Sequence, residues 1–295
     1  MELRNLIGFV AVANHLHFSR AAEQLHLAQP ALSQQIATLE KELGVKLFHR
    51  STRSVTLSEA GARLLPVAKR IVEDVETARL IVHADDGVVG KIALGFAGMT
   101  ANNVIPQLTR SVKAAHPGIR IALNGQMYSG EVAQYVVEGE LDLGLVKLPV
   151  RNQQLGSYVV DSEQFVAVLP PEHLLAGRAE IDLEDLRDSP FVTFPGTGGS
   201  SVRLAQFRLT REAGFAPHVV QEAEDALTIM HLVAAGIGVT LMPQTVASMH
   251  QLGVAVIPLS GDHPPIESAL VWRRNDKSVA LRAVLEIARS IAPAS

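Results

Sequence analysis

Two groups of side chains in this chain have types and spacings that do chemistry, and neither is a catalytic set. The first is Gln29, Pro30, Ser33, Gln34 and Thr38. At helical spacing these short, mostly uncharged groups share one face. Gln can pair with an adenine edge at two points, and a Ser hydroxyl can donate or accept. Just downstream, His49-Arg50-Ser51-Thr52-Arg53 offers two guanidinium groups, Arg50 and Arg53, for phosphates or the minor groove of double-stranded DNA. The second group is a set of hydroxyls at predicted helix starts: Thr100, Ser129, Thr197, Ser200 and Ser201. Hydroxyls beside the free N–H groups of a helix start form an anion-binding arrangement. The alternative for each one alone is an N-cap, contributing roughly 1 kcal/mol and touching no ligand. Lys147 suits either the neutralisation of a ligand carboxylate or a solvated surface. Together the loops predict a pocket for a small-molecule effector.

Other chemistries are excluded by what the spacing lacks. The glycine loop at 196–199 is followed by no Gly-Lys-Ser/Thr, so it is no phosphate-binding Walker loop, and Ser200 lacks the flanking glycines of a nucleophile elbow. The 11 histidines include no H-x-x-x-H or H-E-x-x-H pair, and the absence of cysteine removes disulfides, zinc–thiolate sites and thiol nucleophiles. No convergent acid/base set accompanies them. The expectation is a binding protein with no metal and no cofactor, and not an enzyme.

The polar face needs a helix to carry it. Leu32, Ile36, Leu39 and Leu43 form the opposite, apolar stripe of a helix that starts near Gln29-Pro30 and ends at Gly44. A shorter helix through Ala21, Ala22 and Leu25, with Ser19 as its cap, precedes it across the break His26-Leu27-Ala28. Residues 3–14 form a first helix, and Val55 and Leu57 alternate as the second half of a basic hairpin. This is a winged helix–turn–helix, whose second helix enters the major groove. From Ser58 a long helix extends to about His83. Its stripe Leu64, Ala68, Ile71, Val75, Ala78 and Val82 steps by heptad intervals and predicts a two-helix seam, hence a homodimer, against the alternative of docking on its own domain. Pro66 inside this helix predicts a bend or a delayed start. Asp85-Asp86-Gly87 ends the helix, and Val88-Val89-Gly90 is a hinge.

Beyond Lys91 the style changes to strands alternating with helices: strands at 92–97, 120–123 and 141–146, helices at 102–115 and 130–138. This alternation predicts a parallel sheet covered by helices. A second set follows at 164–169, 183–186, 191–193, 200–213, 218–220, 226–235 and 238–241, then a strand at 267–272 and a helix at 278–291. The predicted fold is multidomain α+β: a mainly α winged helix–turn–helix at 1–58, a linker helix and hinge at 59–89, and a two-lobed α/β domain at 90–295. Lobe I comprises 90–161 and 266–295, and lobe II comprises 162–265.

Ile36 through Arg50 carries L-x-x-L-E-x-x-L-G-x-x-L-F-x-R, with Ile at the first position, followed by Arg53, Leu57 and Ala60-Gly61. With Phe9, Phe18-Ser19, Ala21-Ala22 and Gln29-Pro30-Ala31-Leu32-Ser33, it closely resembles the DNA-binding end of LysR-type transcriptional regulators. His116-Pro117, Glu138-Gly139-Glu140-Leu141-Asp142 and Leu232-Val233-Ala234-Ala235-Gly236-x-Gly238 resemble the family's periplasmic-binding-protein-like effector domain, so the likeness covers nearly the whole chain. Gln34 stands where the family usually has Arg or Lys. Met99 stands where it often has Ser or Thr, which implies a narrower or more apolar pocket. The resemblance implies promoter DNA as partner, an organic or aromatic carboxylate as effector, and dimers pairing into a homotetramer.

Composition agrees. Hydrophobic residues are 47% and charged residues 19% of 295, which predicts packed domains. The net charge is −4, yet residues 1–58 hold six cationic against four anionic side chains. So small an excess predicts weak DNA binding by one copy and a need for paired reading heads. No export signal or bilayer-spanning run is apparent, so a cytoplasmic location and no membrane partner are expected. Two alternatives use the same parts: a two-lobed small-molecule-binding protein, which would need an export signal if it served transport, and a DNA-architectural protein without an effector.

Overall fold

A computed structural model describes residues 1–50, 54–82, 87–98, 104–248 and 253–291. The chain divides into two compact units, Met1–Lys91 with Glu138–Glu140, and Ile92–Val137 with Leu141–Ser295.

In the first unit, α1 (Leu3–His15), α2 (Phe18–Gln24) and α3 (Gln29–Leu43) precede a hairpin of β1 (Phe48–Arg50) and β2 (Val55–Leu57), and α4 (Glu59–Val82) follows. The strands pair antiparallel, Phe48 with Leu57 and Arg50 with Val55. Leu32, Ile36 and Leu39 of α3 are fully buried with Phe9, Val12, Ala21 and Phe48, so the apolar stripe forms the core. Leu43, the last member of the stripe, is 40% exposed. Gly44 caps α3 at φ 71, a left-handed position where Gly avoids a Cβ clash.

Three expectations change here. Ser19 is not the cap of α2: His17 is, its Nδ1 accepting the Arg20 N–H at 3.4 Å, because the helix begins two residues earlier than a Ser19 cap would set it, at Phe18. Ser19 lies inside the helix and its Oγ donates to Gln29 Oε1 at 2.9 Å, tying α2 to the start of α3. Pro66 does not delay α4, which starts at Glu59 and continues through the proline. Part of the α4 stripe is used within the chain: Ala68 is fully buried in the α1–α3 core, with Leu64 and Ile71 packed against it. Val75 is half-buried and Ala78 exposed.

The second unit holds two sheets. In lobe I the strands run in the order β4 (Ile119–Met127), β3 (Gly90–Ala97), β5 (Leu143–Lys147), β12 (Ile266–Arg273), β6 (Leu155–Glu163). β3 and β5 are parallel, as βαβ alternation requires, but β12 lies antiparallel between β5 and β6. The sheet is therefore mixed, which corrects the all-parallel expectation. The returning chain enters between existing strands and pairs with both. α6 (Ser129–Glu138) covers one face, with Val132 and Val136 so close over Gly144 that no Cβ fits there. α5 (Val104–Ala115) and α10 (Val279–Ile291) pack on each other.

Lobe II is built on β7 (Phe165–Leu169), flanked antiparallel by β10 (Thr240–Pro243) and β11 (Ala255–Pro258). A parallel pair, β8 (Pro190–Thr193) and β9 (His218–Glu222), lies alongside through a bridge from Phe191 to Val239. α7 (Ser201–Glu212) contributes Ala205 and Leu209 to one core, while α8 (Ala226–Ala234) and α9 (Gln244–Ser248) supply Ile229, Met230, Val233 and Val246 to another. Residues 183–186 form a single 3₁₀ turn. β6, β11 and α9 are elements that the sequence analysis left as links.

Candidate functional site

Burial of Leu32, Ile36 and Leu39 turns the opposite side of α3 outward. Gln29, Pro30 and Gln34 are exposed, and Ser33 and Thr38 half-buried. Thr38 Oγ1 donates to the Gln34 carbonyl at 2.9 Å, so its hydroxyl proton is already engaged on its own helix. Gln29 is oriented by Ser19, which uses one acceptor lone pair and leaves the amide N–H groups outward-facing.

Arg50 is held more firmly than a solvated cation. Its guanidinium lies 4.6 Å from the Phe18 ring centroid and 3.7 Å from Glu40 Oε2, with the side chain 38% exposed. Arg53 lies outside the described residues.

Glu40 is the residue that sequence reasoning passed over, although it stands in the quoted motif. Its side chain is 3% exposed on the inner side of α3. One carboxylate oxygen accepts the Leu47 and Phe48 N–H groups at 3.0 and 3.4 Å, and the other accepts Lys46 Nζ at 2.8 Å. Burial alone would raise its pKa, but the bonds from Lys46, Leu47 and Phe48 and the charge of Arg50 outweigh it, so the carboxyl titrates below its usual range. A carboxylate with a lowered folded pKa adds stability above its unfolded pKa, about 4.3, and loses it as pH falls through the lower folded value. Glu40→Gln is therefore expected to destabilise the first unit at neutral pH by about 2 kcal/mol and to flatten the acid limb of its stability profile below about pH 4.3. Urea melts from pH 3 to 7 measure both, and an unchanged acid limb rejects the assignment.

In the second unit the predicted effector residues separate into two kinds. Met99 and Thr100 lie outside the described residues. Ser129 is buried, and its Oγ accepts the Lys147 N–H at 3.0 Å, so this hydroxyl fixes the end of β5. Ser200 caps α7, accepting the Arg203 N–H at 3.3 Å. Lys147, expected to face a ligand carboxylate or solvent, does neither. It is 1% exposed and its ammonium is ion-paired with Glu163, reached from the end of β5 across β12 to the end of β6. Thr197 is exposed, and Ser201 is buried with no hydrogen bond among the described residues. Arg203 is neutralised by Glu222 at 2.7 Å and also donates to the Phe194 carbonyl.

Among the described residues, the loop before Ser129 meets the loop before Ser200. Tyr128 of lobe I donates from its hydroxyl to the Glu224 carbonyl of lobe II at 2.8 Å, and its ring stands edge-on to Phe194, centroids 6.3 Å apart. The Gly130 N–H donates to the Gly199 carbonyl at 3.3 Å. Gly198, at φ 87, leaves room for the Tyr128 ring; a Cβ there falls far inside contact distance of it. Burial, together with the charges of Glu224, Glu131 and Asp225, pushes the Tyr128 hydroxyl pKa up, so it is a donor at all working pH values. A surface groove of about 420 Å³ between Phe207, Arg211, Phe215 and Pro217 lies on α7 and the loop after it. It contains none of the predicted hydroxyls, and its lining lacks the convergent polar groups of a specific site.

Among the described residues no cluster of three His, Asp or Glu has metal-binding geometry, and no helix is long and apolar enough to cross a membrane.

A polar-faced helix beside a hairpin that carries Arg50, in a chain that continues into a two-lobed α/β domain, is the build of a ligand-responsive DNA-binding regulator. Comparison with known proteins gives the same result and narrows it. Residues 3–62 match the model of the bacterial regulatory helix-turn-helix protein, lysR family, and residues 85–292 match the LysR substrate binding domain. The chain is 38% identical over 292 residues to the HTH-type transcriptional regulator ShiR of Corynebacterium glutamicum (strain R), covering 99% of each. It is 35% identical over 292 residues to HcaR, the hca operon transcriptional activator of Escherichia coli (strain K12), covering 97% of each. The crystal structure of full-length CbnR complexed with its target DNA matches with a TM-score of 0.79 and 25% identity, over 99% of this chain and 100% of that one. The chain belongs to the LysR family: it is a DNA-binding transcriptional regulator with an effector-binding domain, not an enzyme.

Proposed function

We propose that this regulator reads promoter DNA through Gln29, Pro30, Ser33 and Gln34 in the major groove, with Arg50 and Arg53 on the phosphates, and that it senses a small organic or aromatic carboxylate between its lobes. The observation that carries the first part is the outward polar face of α3, which its own core leaves uncovered. Arg50, stacked on Phe18 and near Glu40, is pre-oriented, so its contact would fix position on the duplex and not sequence. For the effector, Thr197 and Ser201 are the hydroxyls that the chain does not itself engage among the described residues. Ser129, Ser200 and Lys147 would then shape the pocket from behind, and Met99 and Thr100 would complete it. Neither Lys147 nor Arg203 brings a free charge, so hydroxyls and backbone N–H groups would hold a carboxylate. Two copies would join through the part of α4 beyond Ile71, and dimers would pair into a tetramer, working in the cytoplasm. The domain limits are proposed as 1–58, 59–89 and 90–295, with lobe I at 90–161 and 266–295 and lobe II at 162–265.

Two substitutions separate the DNA roles. Ser33→Ala is expected to weaken binding to the native promoter about tenfold while leaving random DNA unchanged, since a lost base contact costs about 1–3 kcal/mol of discrimination. Arg50→Ala is expected to weaken both equally and to reduce the slope of log K against log salt by about 1. Fluorescence anisotropy from 50 to 300 mM salt reads both, and equal loss on both DNAs for Ser33→Ala defeats the base-reading assignment. Thermal shift in the presence of a panel of aromatic and short aliphatic carboxylates tests the effector class. A ligand at 100 times its Kd adds about 2.7 kcal/mol to the second unit.

A further inference from the structure

The contact between Lys147 and Glu163 lies where the chain crosses from one lobe to the other. Glu163 ends β6 in the lobe I sheet, and β7 of lobe II begins two residues later. One carboxylate oxygen is bound to the Lys147 ammonium at the end of β5. The other accepts the N–H of Thr245, in the first turn of α9, at 2.8 Å. The next residue, Gln164, accepts the Gln244 N–H on its carbonyl at 3.0 Å. The second crossover joins the same point, since Ile266 pairs with Glu163 in the sheet and is buried in the lobe II core. A single carboxylate thus holds lobe I with one oxygen and lobe II with the other. Among the described residues Glu163 is the one acceptor bound to the Lys147 ammonium, and Ser268, directly opposite Lys147 in the strand pair, has a buried hydroxyl that makes no bond. The backbone of Lys147 is fixed in turn by Ser129, next to the Gly130 that meets Gly199 at the mouth.

We propose that Glu163 is a positioning residue that sets the angle between the lobes, acting as a two-sided strut from Lys147 to the start of α9. A rotation of lobe II about the crossovers would stretch the bond from Thr245 or pull the carboxylate off a buried ammonium, and both oppose it. The strut links the two ends of the proposed sensor. Ser129 lies beside the mouth, Lys147 behind it and Glu163 at the crossover between the lobes, and one hydrogen-bonded path runs between them. The inference uses the effector reading only in calling the lobes a sensor, and its test needs no effector.

The chain has no cysteine, so Lys113→Cys on α5 and Arg208→Cys on α7, both exposed, take spin labels at those two sites alone. Labelled chain diluted into unlabelled chain gives inter-lobe distances within one copy by pulsed electron resonance. The informative variant is Lys147→Met/Glu163→Met, which removes the strut but leaves apolar groups of similar size in place of the ions, so stability is retained. Thermal melting checks that. The measurement is made in the wild-type and in the Tyr128→Phe background, the latter without the hydroxyl bond at the mouth. The expected result is a distance distribution at least twice as wide, or shifted, with a melting temperature close to wild type. Should the double variant not fold, Glu163→Gln, which keeps an acceptor but no charge, gives the reading by the same widening. Unchanged distributions in both backgrounds would mean that the pair only fills space, and they overturn the proposal. A widened distribution in the double variant, with no carboxylate of the panel raising the melting temperature of the wild type, would count against the effector reading and not against the strut.

Discussion

Lys147→Ala is expected to lower the melting temperature of the two-lobed unit by roughly 10 °C, the largest loss predicted for any single side chain here. The lysine is 1% exposed and its partner Glu163 has a side chain 10% exposed. Removing the cation leaves a carboxylate in a poorly solvated site, with the Thr245 N–H to satisfy one oxygen. Breaking a buried pair from one side costs about 3–5 kcal/mol, because the surviving charge cannot return to water. A surface ion pair such as Arg63 with Glu59 is the contrast: with both side chains at least 70% exposed, Arg63→Ala should change stability by less than about 0.5 kcal/mol. Differential scanning calorimetry of the three proteins makes the comparison. A Lys147→Ala transition within 2 °C of wild type would show that the pair is solvated in solution.

Gly61→Ala is expected to unfold the wing from the first unit and to abolish promoter binding. Gly61 lies in the first turn of α4, where its Cα faces the Leu47 carbonyl oxygen so closely that a Cβ falls far inside contact distance. That oxygen cannot move aside, because it already accepts the Ser58 N–H at 2.9 Å, while Ser58 Oγ donates to the Lys46 carbonyl at 2.6 Å and accepts the Gly61 N–H at 3.0 Å. A backbone clash inside so closed a set of bonds costs about 3 kcal/mol, and the loss falls at the base of the hairpin that carries Arg50. Gly8→Ala is the internal control. There a Cβ meets Leu32 Cδ1 at 2.9 Å and Gln35 Oε1 at 3.0 Å, the free ends of side chains that can turn away. Alanine also favours the helix by about 1 kcal/mol over glycine, so the net effect at position 8 should be small. Urea melts and anisotropy with promoter DNA measure both, and equal effects at positions 8 and 61 would defeat the argument.

What the sequence makes legible follows from how local the cause is. The α3 stripe of Leu32, Ile36 and Leu39 and the glycine at 44 are set by helical periodicity and by one left-handed residue, so α3 is readable from start to end. The cap of α2 is misread because His17 and Ser19 both offer an acceptor near the helix start, and only the packing of Phe18 decides between them. The α4 stripe is legible as a stripe, but periodicity cannot say what covers it, and Ala68 turns to its own domain. In lobe I, β6 escapes notice because its neighbour in the sheet, β12, is about a hundred residues distant, and strand pairing at that range leaves no local trace. The same holds for the hydroxyls: a Ser at a helix start looks identical in sequence whether it caps, as Ser200 does, braces a strand, as Ser129 does, or stays unengaged among the described residues, as Ser201 does. Lys147 is the sharpest case. Its charge is visible, but the acid that neutralises it belongs to a strand that the pattern did not disclose.

The place of β12 bears on how the protein comes to be made. This strand sits inside the lobe I sheet, bonded to β5 on one side and β6 on the other, and α10 behind it packs on α5. A ribosome therefore delivers β3 to β6 and all of lobe II before the piece that closes lobe I exists. Until residues 266–273 emerge, β5 and β6 lack their common partner, and the half-built sheet has an open edge of the kind that chaperones recognise. The helix–turn–helix unit, complete within the first ninety or so residues, can fold long before that. During synthesis a reading head precedes its sensor, and any fragment that stops short of β12 would carry DNA-binding parts without a finished lobe I to govern them.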